Sequence, residues 1–389
     1  MKIENTGGES MNEQTMPDPG GPSTPPTAPA PIHHPLEYFG EAKALGWLVF
    51  KNTILTIITI GFYRFWGKTR IRKHIWSSLS LFGEKLEYTG TGKELFLGFL
   101  IVMAVLVPLG IVVNVGNFYL QTLGNNHVLF AFQATYSLLF LFLFGYAVFR
   151  ARRYQLSRTV WRSIRFAQAG EAKKYALKFF GYWLLAVLTL GLAAPLALVR
   201  LQTYLINNTF LGQEKFSLDA QVKDIFWKAI LCGILAPFTL YLSMLWFAAF
   251  YTRYIVSKTH FGPLKLALPI TFGDLAKIYI PYILVIVLIF AVIAGPVIFA
   301  ALNLGSIGDI NAAAFVPITL VLILFFFLPT ITAMMITHRL LGLFANKLEA
   351  EGEIDLDAFV QNAQQASGTG EGLADALDVG GAAGIEVGL

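Results

Sequence analysis

The chain has 389 residues and a formal net charge of +5, and its composition differs from that of water-soluble proteins. Hydrophobic residues make up 56% of it and charged residues only 14%, whereas about a quarter of the residues in a soluble domain are charged. The single cysteine, Cys232, excludes an intrachain disulfide and a cysteine-based metal site. The Lys and Arg residues lie beside apolar stretches, which favours membrane lipids with anionic headgroups as partners and argues against nucleic acid.

The two ends of the chain differ from its middle. Residues 1–35 are polar and rich in Pro, Gly, Ser and Thr, and they lack the basic and apolar segments of a signal peptide. This composition predicts a disordered tail. Residues 349–389 are acidic and rich in Gly and Ala, which predicts a flexible C-terminal tail. Residues 36–348 are left as the membrane domain.

Seven apolar windows divide the membrane domain, and each is long enough to cross a hydrocarbon core of about 30 Å. The predicted fold is therefore an all-α integral membrane protein, a polytopic bundle of about seven spans. The first and fourth windows are interrupted, so either could be re-entrant. The links at 118–127 and 304–312 contain no Lys or Arg, and each is predicted to join a tight helical hairpin. The windows lie near residues 44–63, 95–117, 128–149, 179–199, 226–250, 279–303 and 313–336.

The loops that follow the first, third, fifth and seventh windows contain most of the Lys and Arg residues. If every window crosses, these loops lie on one side of the membrane, and the positive-inside rule makes that side cytoplasmic. The sequence therefore predicts a multi-pass protein of the bacterial inner (plasma) membrane with a cytoplasmic C-terminus.

An internal repeat is visible in the membrane domain. Gly40-Glu41-Ala42-Lys43 recurs as Gly170-Glu171-Ala172-Lys173, and Thr59-Ile60-Gly61 recurs at the same distance as Thr189-Leu190-Gly191. We expect two copies, at about 36–165 and 166–348, and a weaker third copy starts at Arg253. Three predicted crossings separate the copies, so they would be inverted, as in many secondary transporters. The alternative is a duplication that only enlarges a scaffold.

The segments between some windows alternate apolar and polar residues. Residues 85–90, for example, have this pattern and end at a glycine. The pattern predicts short strands at the membrane surface.

Five segments of the chain have the character of family motifs: Tyr38-Phe39-Gly40, residues 55–66, Tyr88-Thr89-Gly90-Thr91-Gly92, residues 158–166 and residues 370–380. They resemble the DUF898 family of YjgN-like bacterial inner membrane proteins, and the resemblance runs from about residue 36 to the end of the chain. It implies a location and an architecture, but no activity, because none is established for the family. Ser163 stands where the family is expected to favour glycine.

Two groups of polar residues are candidate sites. Lys51 and Asn52 lie inside the first window, where a charge is costly unless it faces the bundle interior, although Lys51 could also extend its ammonium group to the membrane surface. Arg70, Arg72 and Lys73 near Trp66 and Trp76, together with Arg162 and Arg165, are candidate contacts for anionic lipids. The alternative is ordinary topology-setting charge beside an aromatic belt.

No catalytic, cofactor or metal site is recognisable. Gly67-Lys68-Thr69 resembles the end of a phosphate-binding loop, but Phe62 stands where that motif requires glycine. We therefore expect no cofactor, and an enzymatic activity would need an active site of an unrecognised kind. The functions left open are solute transport or lipid handling, as the alternative a non-enzymatic membrane scaffold or envelope-maintenance protein, and in third place a membrane enzyme.

Overall fold

The computed structural model describes residues 32–33, 35–303 and 326–353. Helices dominate these ranges, and the strands in them form one antiparallel sheet of 11 strands. The helices are α1 (Ala42–Ile58), α2 (Arg64–Ser77), α3 (Gly92–Thr122), α4 (Asn126–Arg158), α5 (Ala172–Leu188), α6 (Ala194–Ile206), α7 (Val222–Leu235), α8 (Leu242–Ser257), α9 (Phe272–Asn303) and α10 (Phe326–Lys347), of which Ala333–Thr337 is π-helical. The strands are β1 (Ile32–His33), β2 (Leu36–Tyr38), β3 (Leu79–Leu81), β4 (Glu84–Tyr88), β5 (Thr159–Trp161), β6 (Ile164–Gln168), β7 (Thr209–Leu211), β8 (Glu214–Leu218), β9 (Thr259–Phe261), β10 (Leu264–Ala267) and β11 (Glu349–Glu351).

The chain repeats one βααβ arrangement. Unit 1 is β2-α1-α2-β3, unit 2 is β4-α3-α4-β5, unit 3 is β6-α5-α6-β7, unit 4 is β8-α7-α8-β9, and unit 5 is β10-α9-α10-β11. The two strands of each unit pair with each other, and a tight hairpin joins each unit to the next. A helical pair therefore rises between the two strands of every unit.

The two ends of the sheet lie close together. β2 lies at one end of the strand order and β1 at the other, where β1 pairs with β11. Since β2 starts three residues after β1 ends, the two ends of the sheet lie within about 11 Å of each other. We call this ring-shaped sheet the strand ring. The Tyr38 hydroxyl lies 3.1 Å from Nδ1 of His338, and this contact joins unit 5 to unit 1. Burial of the Tyr38 side chain raises its pKa.

Apolar side chains fill the inside of the strand ring. One continuous cluster of buried residues joins strands of all five units, so these residues face the inside of the ring. The filled interior leaves the ring as a packed base and not as an open pore. The strand residues in the cluster include Leu36, Leu86, Trp161, Leu211, Phe261 and Leu264.

The helical pairs are of two lengths. The helices of units 1, 3 and 4 have 13 to 17 residues, which is about 20–26 Å and too short to cross the ~30 Å core. In units 2 and 5, four helices of the described chain are long and apolar enough to span a membrane: Gly92–Thr122, Asn126–Arg158, Phe272–Val292 and Phe326–Lys347. The α3–α4 link is a tight hairpin, as predicted, whereas residues 304–312 lie outside the described residues.

The predicted all-α bundle of about seven spans is therefore wrong. The first, fourth and fifth apolar windows each contain the turn of a short helical pair, and the surface strands belong to one large antiparallel sheet. The seventh window lies partly outside the described residues. Residues 1–31, 34 and 354–389 of the predicted tails lie wholly outside them. β1 and β11 show that the edges of both tail segments take part in the strand ring.

The three short pairs turn through a common threonine. The hydroxyls of Thr59, Thr189 and Thr239 donate to the carbonyl four residues earlier, at 2.7, 2.8 and 2.9 Å. The same oxygens accept the backbone N–H four residues later, at 2.9, 3.0 and 3.2 Å. Each threonine thus pairs backbone groups at the point where the helix stops, which a turn inside hydrocarbon needs.

These turns, which we call the tips, expose large apolar side chains. Ile60 is 90% exposed, Leu190 95% and Leu240 84%. All three have positive φ, at 50°, 51° and 47°, and the next residue is Gly61, Gly191 or Tyr241. A turn of a soluble protein would place polar residues here, so the tips fit an apolar medium.

The expected inversion of the repeats is also wrong. Four antiparallel steps separate β2 from β6 in the strand ring, so the first strands of units 1 and 3 run in the same direction. Both helical pairs start and end at the same ring. The repeated sequences therefore occupy equivalent positions around a ring, related by rotation.

Candidate functional site

A cavity lies inside the ring of helices, above the filled strand ring. It has a volume of about 810 Å³ and is lined by α4, α5, α6, α8, α9 and α10, with strand residues at its floor. On α4 the lining residues are Phe144, Val148, Arg152 and Leu156, a spacing of four that places them on one helical face. Most of the other lining residues are Leu, Ile, Val, Phe and Tyr. We call this space the central cavity.

One position of the second helix in units 1 to 4 faces inward and is polar. The residue seven positions before the second strand is Arg72, Arg152, Gln202 or Thr252. Arg72 and Arg152 are buried, and Arg152, Gln202 and Thr252 line the central cavity. This position builds a polar layer around an otherwise apolar interior.

The two arginines of this layer reach the next unit in the same way. Arg72 Nη1 donates to the Tyr88 hydroxyl at 3.3 Å, and Arg152 Nε donates to Oε1 of Gln168 at 3.2 Å. Both acceptors follow their arginine by 16 residues and end the first strand of the next unit. The Gln168 amide in turn donates to the carbonyl of Leu205 at 3.1 Å, which fixes its oxygen toward Arg152.

Arg152 is a buried cation without a carboxylate partner among the described residues. It is 7% exposed and lines the central cavity. Arg152 forms no ion pair with any residue that the structure describes, in contrast to Arg158, Lys174 and Lys347. Because burying an unpaired charge is costly, the guanidinium favours an anionic or hydrogen-bond-accepting group in the cavity.

Trp183 adds a second donor without a partner. Its indole N–H is buried, lines the central cavity, and has no hydrogen-bond acceptor among the described residues. Buried polar groups are nearly always hydrogen-bonded. The cavity therefore contains two donors, on α4 and α5, that an occupant could satisfy.

The predicted intramembrane pair, Lys51 and Asn52, does not form one site. Lys51 is exposed, and its Nζ lies 4.8 Å from the ring centroid of Trp47. Asn52 is buried, and its amide donates to the carbonyl of Gly67 at 3.3 Å, which holds α1 against α2. The two side chains thus face different surroundings.

The residues predicted to contact anionic lipids lie in two places. Arg70 and Lys73 are exposed on α2, and Arg72 on the same helix faces the interior. Arg162 is exposed in the β5–β6 turn, while Arg165 on β6 donates to Thr89 and to the carbonyl of Ser157. Four of these side chains are at least partly accessible, but they do not gather around one pocket.

The central cavity and the position of Arg152 on its wall were not predicted from the sequence. Arg152 stands in a run of arginines that is typical of a surface loop. The signal that could have separated it is the shared spacing: Arg72 and Arg152 both precede their strand by seven residues and their acceptor by 16.

Comparisons with known proteins give a family and little else. The model of a family described as bacterial protein of unknown function (DUF898) matches residues 33–231 and 219–347. No curated protein and no solved structure matches the chain.

Proposed function

Since the chain belongs to the DUF898 family of bacterial proteins of unknown function, its own geometry has to indicate what it does, and we propose that it binds an amphiphilic lipid in the central cavity. The observation that carries this proposal is the buried guanidinium of Arg152, which has no ion pair with a described residue, on the wall of an apolar cavity of about 810 Å³. The occupant that matches has an apolar chain and an acidic or acceptor-rich headgroup. This is the lipid-handling alternative among the functions that the sequence left open.

The dimensions of the cavity support a lipid chain. Its volume falls in the range of about 300–1,000 Å³ that small-molecule sites occupy. Arg152 and Phe144 are eight residues apart on α4, or roughly 12 Å. One leaflet contributes about 15 Å of hydrocarbon. A headgroup at Arg152 would therefore place its chain along the wall toward Phe144.

Two exposed tryptophans indicate the depth at which Arg152 lies in the membrane. Trp47 and Trp227 lie nine residues after the first strand of units 1 and 4 and are 57% and 74% exposed. Tryptophan favours the membrane interface. Arg152 lies at nearly the same height above the strand ring, seven residues from its strand. A lipid held there would keep the depth that it has in a leaflet.

A water-filled pathway for solutes receives less support. The inside of the strand ring is packed with apolar side chains directly below the cavity, and the cavity wall is itself apolar. We therefore favour lipid binding over solute transport, and over a scaffold role that would leave the cavity unexplained.

We further propose that the chain, like the YjgN-like proteins that it resembles, lies in the bacterial inner membrane. In this placement the strand ring is on the cytoplasmic side of that membrane. α3 and α4 contain no Lys or Arg between residues 94 and 149, whereas Arg150, Arg152, Arg153 and Arg158 follow near the ring. Basic residues favour the cytoplasmic side of a membrane protein. Both β1 and β11 then lie on that side.

Photocrosslinking tests the proposed lipid site. The full chain in liposomes would be irradiated with a fatty acid that carries a photoreactive group in its chain, and the adducts would be located by peptide mass spectrometry. We expect adducts on cavity-lining positions such as Val148 and Leu201. Adducts confined to lipid-facing residues such as Val112 would contradict the proposal.

Two variants sharpen the result. Ala248→Trp fills the cavity from α8, and Arg152→Gln introduces the residue that unit 3 has at the same position. We expect both variants to lose most of the cavity adducts. The control variant Val112→Trp, at a residue of α3 that is 63% exposed, should retain them. Unchanged labelling of Val148 and Leu201 in the Ala248→Trp variant would overturn the site.

A further inference from the structure

Unit 3 has a second concave site on a different face from the central cavity. A groove of about 250 Å³ lies between α5 and α6. Two cations line it, Lys178 from α5 and Arg200 from α6, together with the polar side chains of Thr203, Tyr204, Asn207 and Asn208. No carboxylate is among its lining residues.

Among the described residues, no carboxylate neutralises the two cations. Lys178 Nζ lies 4.8 Å from the ring centroid of Tyr204, and neither Lys178 nor Arg200 has an ion pair with a described residue. The nearby carboxylate of Glu171 is paired with Lys174 at 2.8 Å. The groove thus presents positive charge without a counter-charge.

The amide groups of the groove add donors. Oδ1 of Asn207 accepts the backbone N–H of Leu218 at 2.6 Å, so its NH₂ group remains available to donate. Asn208 donates to the carbonyl of Tyr204 at 2.7 Å, which uses one of its two amide hydrogens. Two cations and two amide donors around one groove match the oxygen-rich surface of a phosphate.

The sibling units show that the pair of cations is particular to unit 3 among the three short units. Unit 1 has Arg70 at the position of Arg200, but Leu48 at the position of Lys178. Unit 4 has Lys228 at the position of Lys178, but Phe250 at the position of Arg200, and Lys228 Nζ lies 3.9 Å from that ring centroid. Each sibling therefore has one cation where unit 3 has two.

The groove lies at the height expected for lipid headgroups. Units 1 and 4 have the exposed Trp47 and Trp227 at equivalent positions, and Lys178 lies one residue after that position in unit 3. It is ten residues from the end of α5, or about 15 Å from the tip, which equals the hydrocarbon of one leaflet, roughly 15 Å. If the tip at Leu190 reaches the middle of the bilayer, Lys178 lies at the boundary with the headgroups.

We propose that the groove between α5 and α6 binds the phosphate of an anionic membrane phospholipid, with Lys178 and Arg200 contacting the phosphate oxygens and Asn207 donating an additional hydrogen bond. The occupant is held on the outer face of unit 3, so this site is independent of lipid binding in the central cavity. A net negative headgroup is favoured because a choline would bring a third cation toward Lys178 and Arg200.

The test titrates the purified full chain, in a non-ionic detergent, with three probes: short-chain phosphatidylglycerol, short-chain phosphatidylcholine and inorganic phosphate. Native mass spectrometry or calorimetry reports the affinity. We expect phosphatidylglycerol to bind about tenfold more tightly than phosphatidylcholine, and salt to weaken it. Equal binding of inorganic phosphate and phosphatidylglycerol would overturn the assignment to a lipid.

The sibling units supply the variants. Lys178→Leu copies unit 1 and Arg200→Phe copies unit 4, so both residues already occur at this position of the fold. We expect each to lower the affinity for phosphatidylglycerol about tenfold, the effect of losing one charge-assisted contact. Lys228→Leu is the matched control on unit 4 and should leave the affinity within about twofold.

Thermal unfolding and the photocrosslinking of the central cavity serve as checks on the variants. Both groove variants should unfold at the temperature of the unmodified chain and retain the cavity adducts. Groove variants that are folded and bind phosphatidylglycerol as tightly as the unmodified chain would overturn the proposal, whatever the outcome at the central cavity.

Discussion

Ser163 has a left-handed backbone conformation. The equivalent position in the turn after unit 1 has the same conformation but is a glycine. Its φ is +66°, and Gly83 has a φ of +83°, with no atom within 4 Å of the place that a β-carbon would take. A side chain in this region costs energy that glycine does not. The resemblance to the family already suggested glycine at position 163, and the backbone gives the reason.

We therefore expect Ser163→Gly to stabilise the protein by about 0.5–1 kcal/mol, since the relief of strain exceeds the added freedom of the unfolded chain. Titration with SDS in mixed micelles measures the unfolding free energy. Gly83→Ser is the reverse change in the sibling turn and should destabilise. A Ser163→Gly variant that unfolds more easily than the unmodified chain would contradict this account.

Glu94 anchors the base of the long α3–α4 pair. Its carboxylate accepts from Nε and Nη2 of Arg158 at 3.1 and 3.2 Å and from the Tyr154 hydroxyl at 2.8 Å. The side chain of Arg158 is only 4% exposed. Glu94→Gln would leave this guanidinium without its carboxylate, and we expect a loss of about 3 kcal/mol in the same titration.

The control for the Glu94→Gln variant changes another carboxylate that lies, like Glu94, close to the start of the first helix of its unit. Glu171 pairs with Lys174, and both side chains are more than 60% exposed. Exposed pairs contribute little to stability. Glu171→Gln should therefore have no measurable effect, and equal losses for the two variants would show that burial of Arg158 is not the cause.

Individual site residues were predictable only where their environment was local. Asn52 was recognised as a polar residue within an apolar window, and its bond to Gly67 lies within one helical pair. Arg152 was not separated from its neighbours, because its inward direction depends on the pairing of unit 2 with unit 3. The charge pattern of a single segment does not contain that information.

At the scale of elements, the tips explain why the sequence suggested too many spans. A turn in water usually contains Gly, Asn, Asp or Pro, whereas the tips present Ile60, Leu190 and Leu240 to their surroundings. The apolar windows therefore ran through the turns without a polar break. The repeated Thr-x-Gly motif was noticed as similarity, but its role as a turn became visible only through the hydrogen bonds of Thr59 and Thr189.

The exposed tips imply that a charge there is costly. If Leu190 lies in hydrocarbon, Leu190→Asp should cost about 3 kcal/mol, the penalty for a carboxylate near the bilayer centre. The measurement is the yield of folded protein extracted from membranes and its thermal unfolding in lipid nanodiscs. The same change in water would be nearly neutral, because Leu190 is 95% exposed.

Gln213→Asp is the control for the tip variant. Gln213 is exposed in the β7–β8 turn of the same unit, at the end opposite to the tip. It should insert and unfold like the unmodified chain. Equal behaviour of Leu190→Asp and Gln213→Asp would show that the tip of unit 3 is in water.

At the scale of the whole molecule, the sequence indicated the parts better than their arrangement. The long helices α3 and α4, the surface strands and the repeat of Gly40 at Gly170 were all recognised. The ring was not, because each unit closes through strands far apart in the chain, as when Tyr88 pairs with Thr159. Units 2 and 5 also hide the fivefold arrangement, since α3, α4 and α9 are about twice as long as the helices of the other units.

The ring makes a prediction about the sides of the membrane that an inverted repeat does not make. Lys85 on β4 and Gln213 in the β7–β8 turn are exposed parts of the same strand ring, so they should face the same side. Inverted copies would place them on opposite sides. Leu123, 58% exposed in the α3–α4 turn, should face away from the ring, because α3 is about 46 Å long.

Single cysteines at these three positions, in a Cys232→Ser background, can be labelled with a membrane-impermeant maleimide in intact spheroplasts and again after lysis. With the ring in the cytoplasm, Leu123→Cys reacts in intact spheroplasts, whereas Lys85→Cys and Gln213→Cys react only after lysis. Opposite behaviour of Lys85→Cys and Gln213→Cys would contradict the ring. If both react in intact spheroplasts while Leu123→Cys does not, the ring stands and its cytoplasmic placement is wrong, because the position of the basic residues would then not have set the orientation.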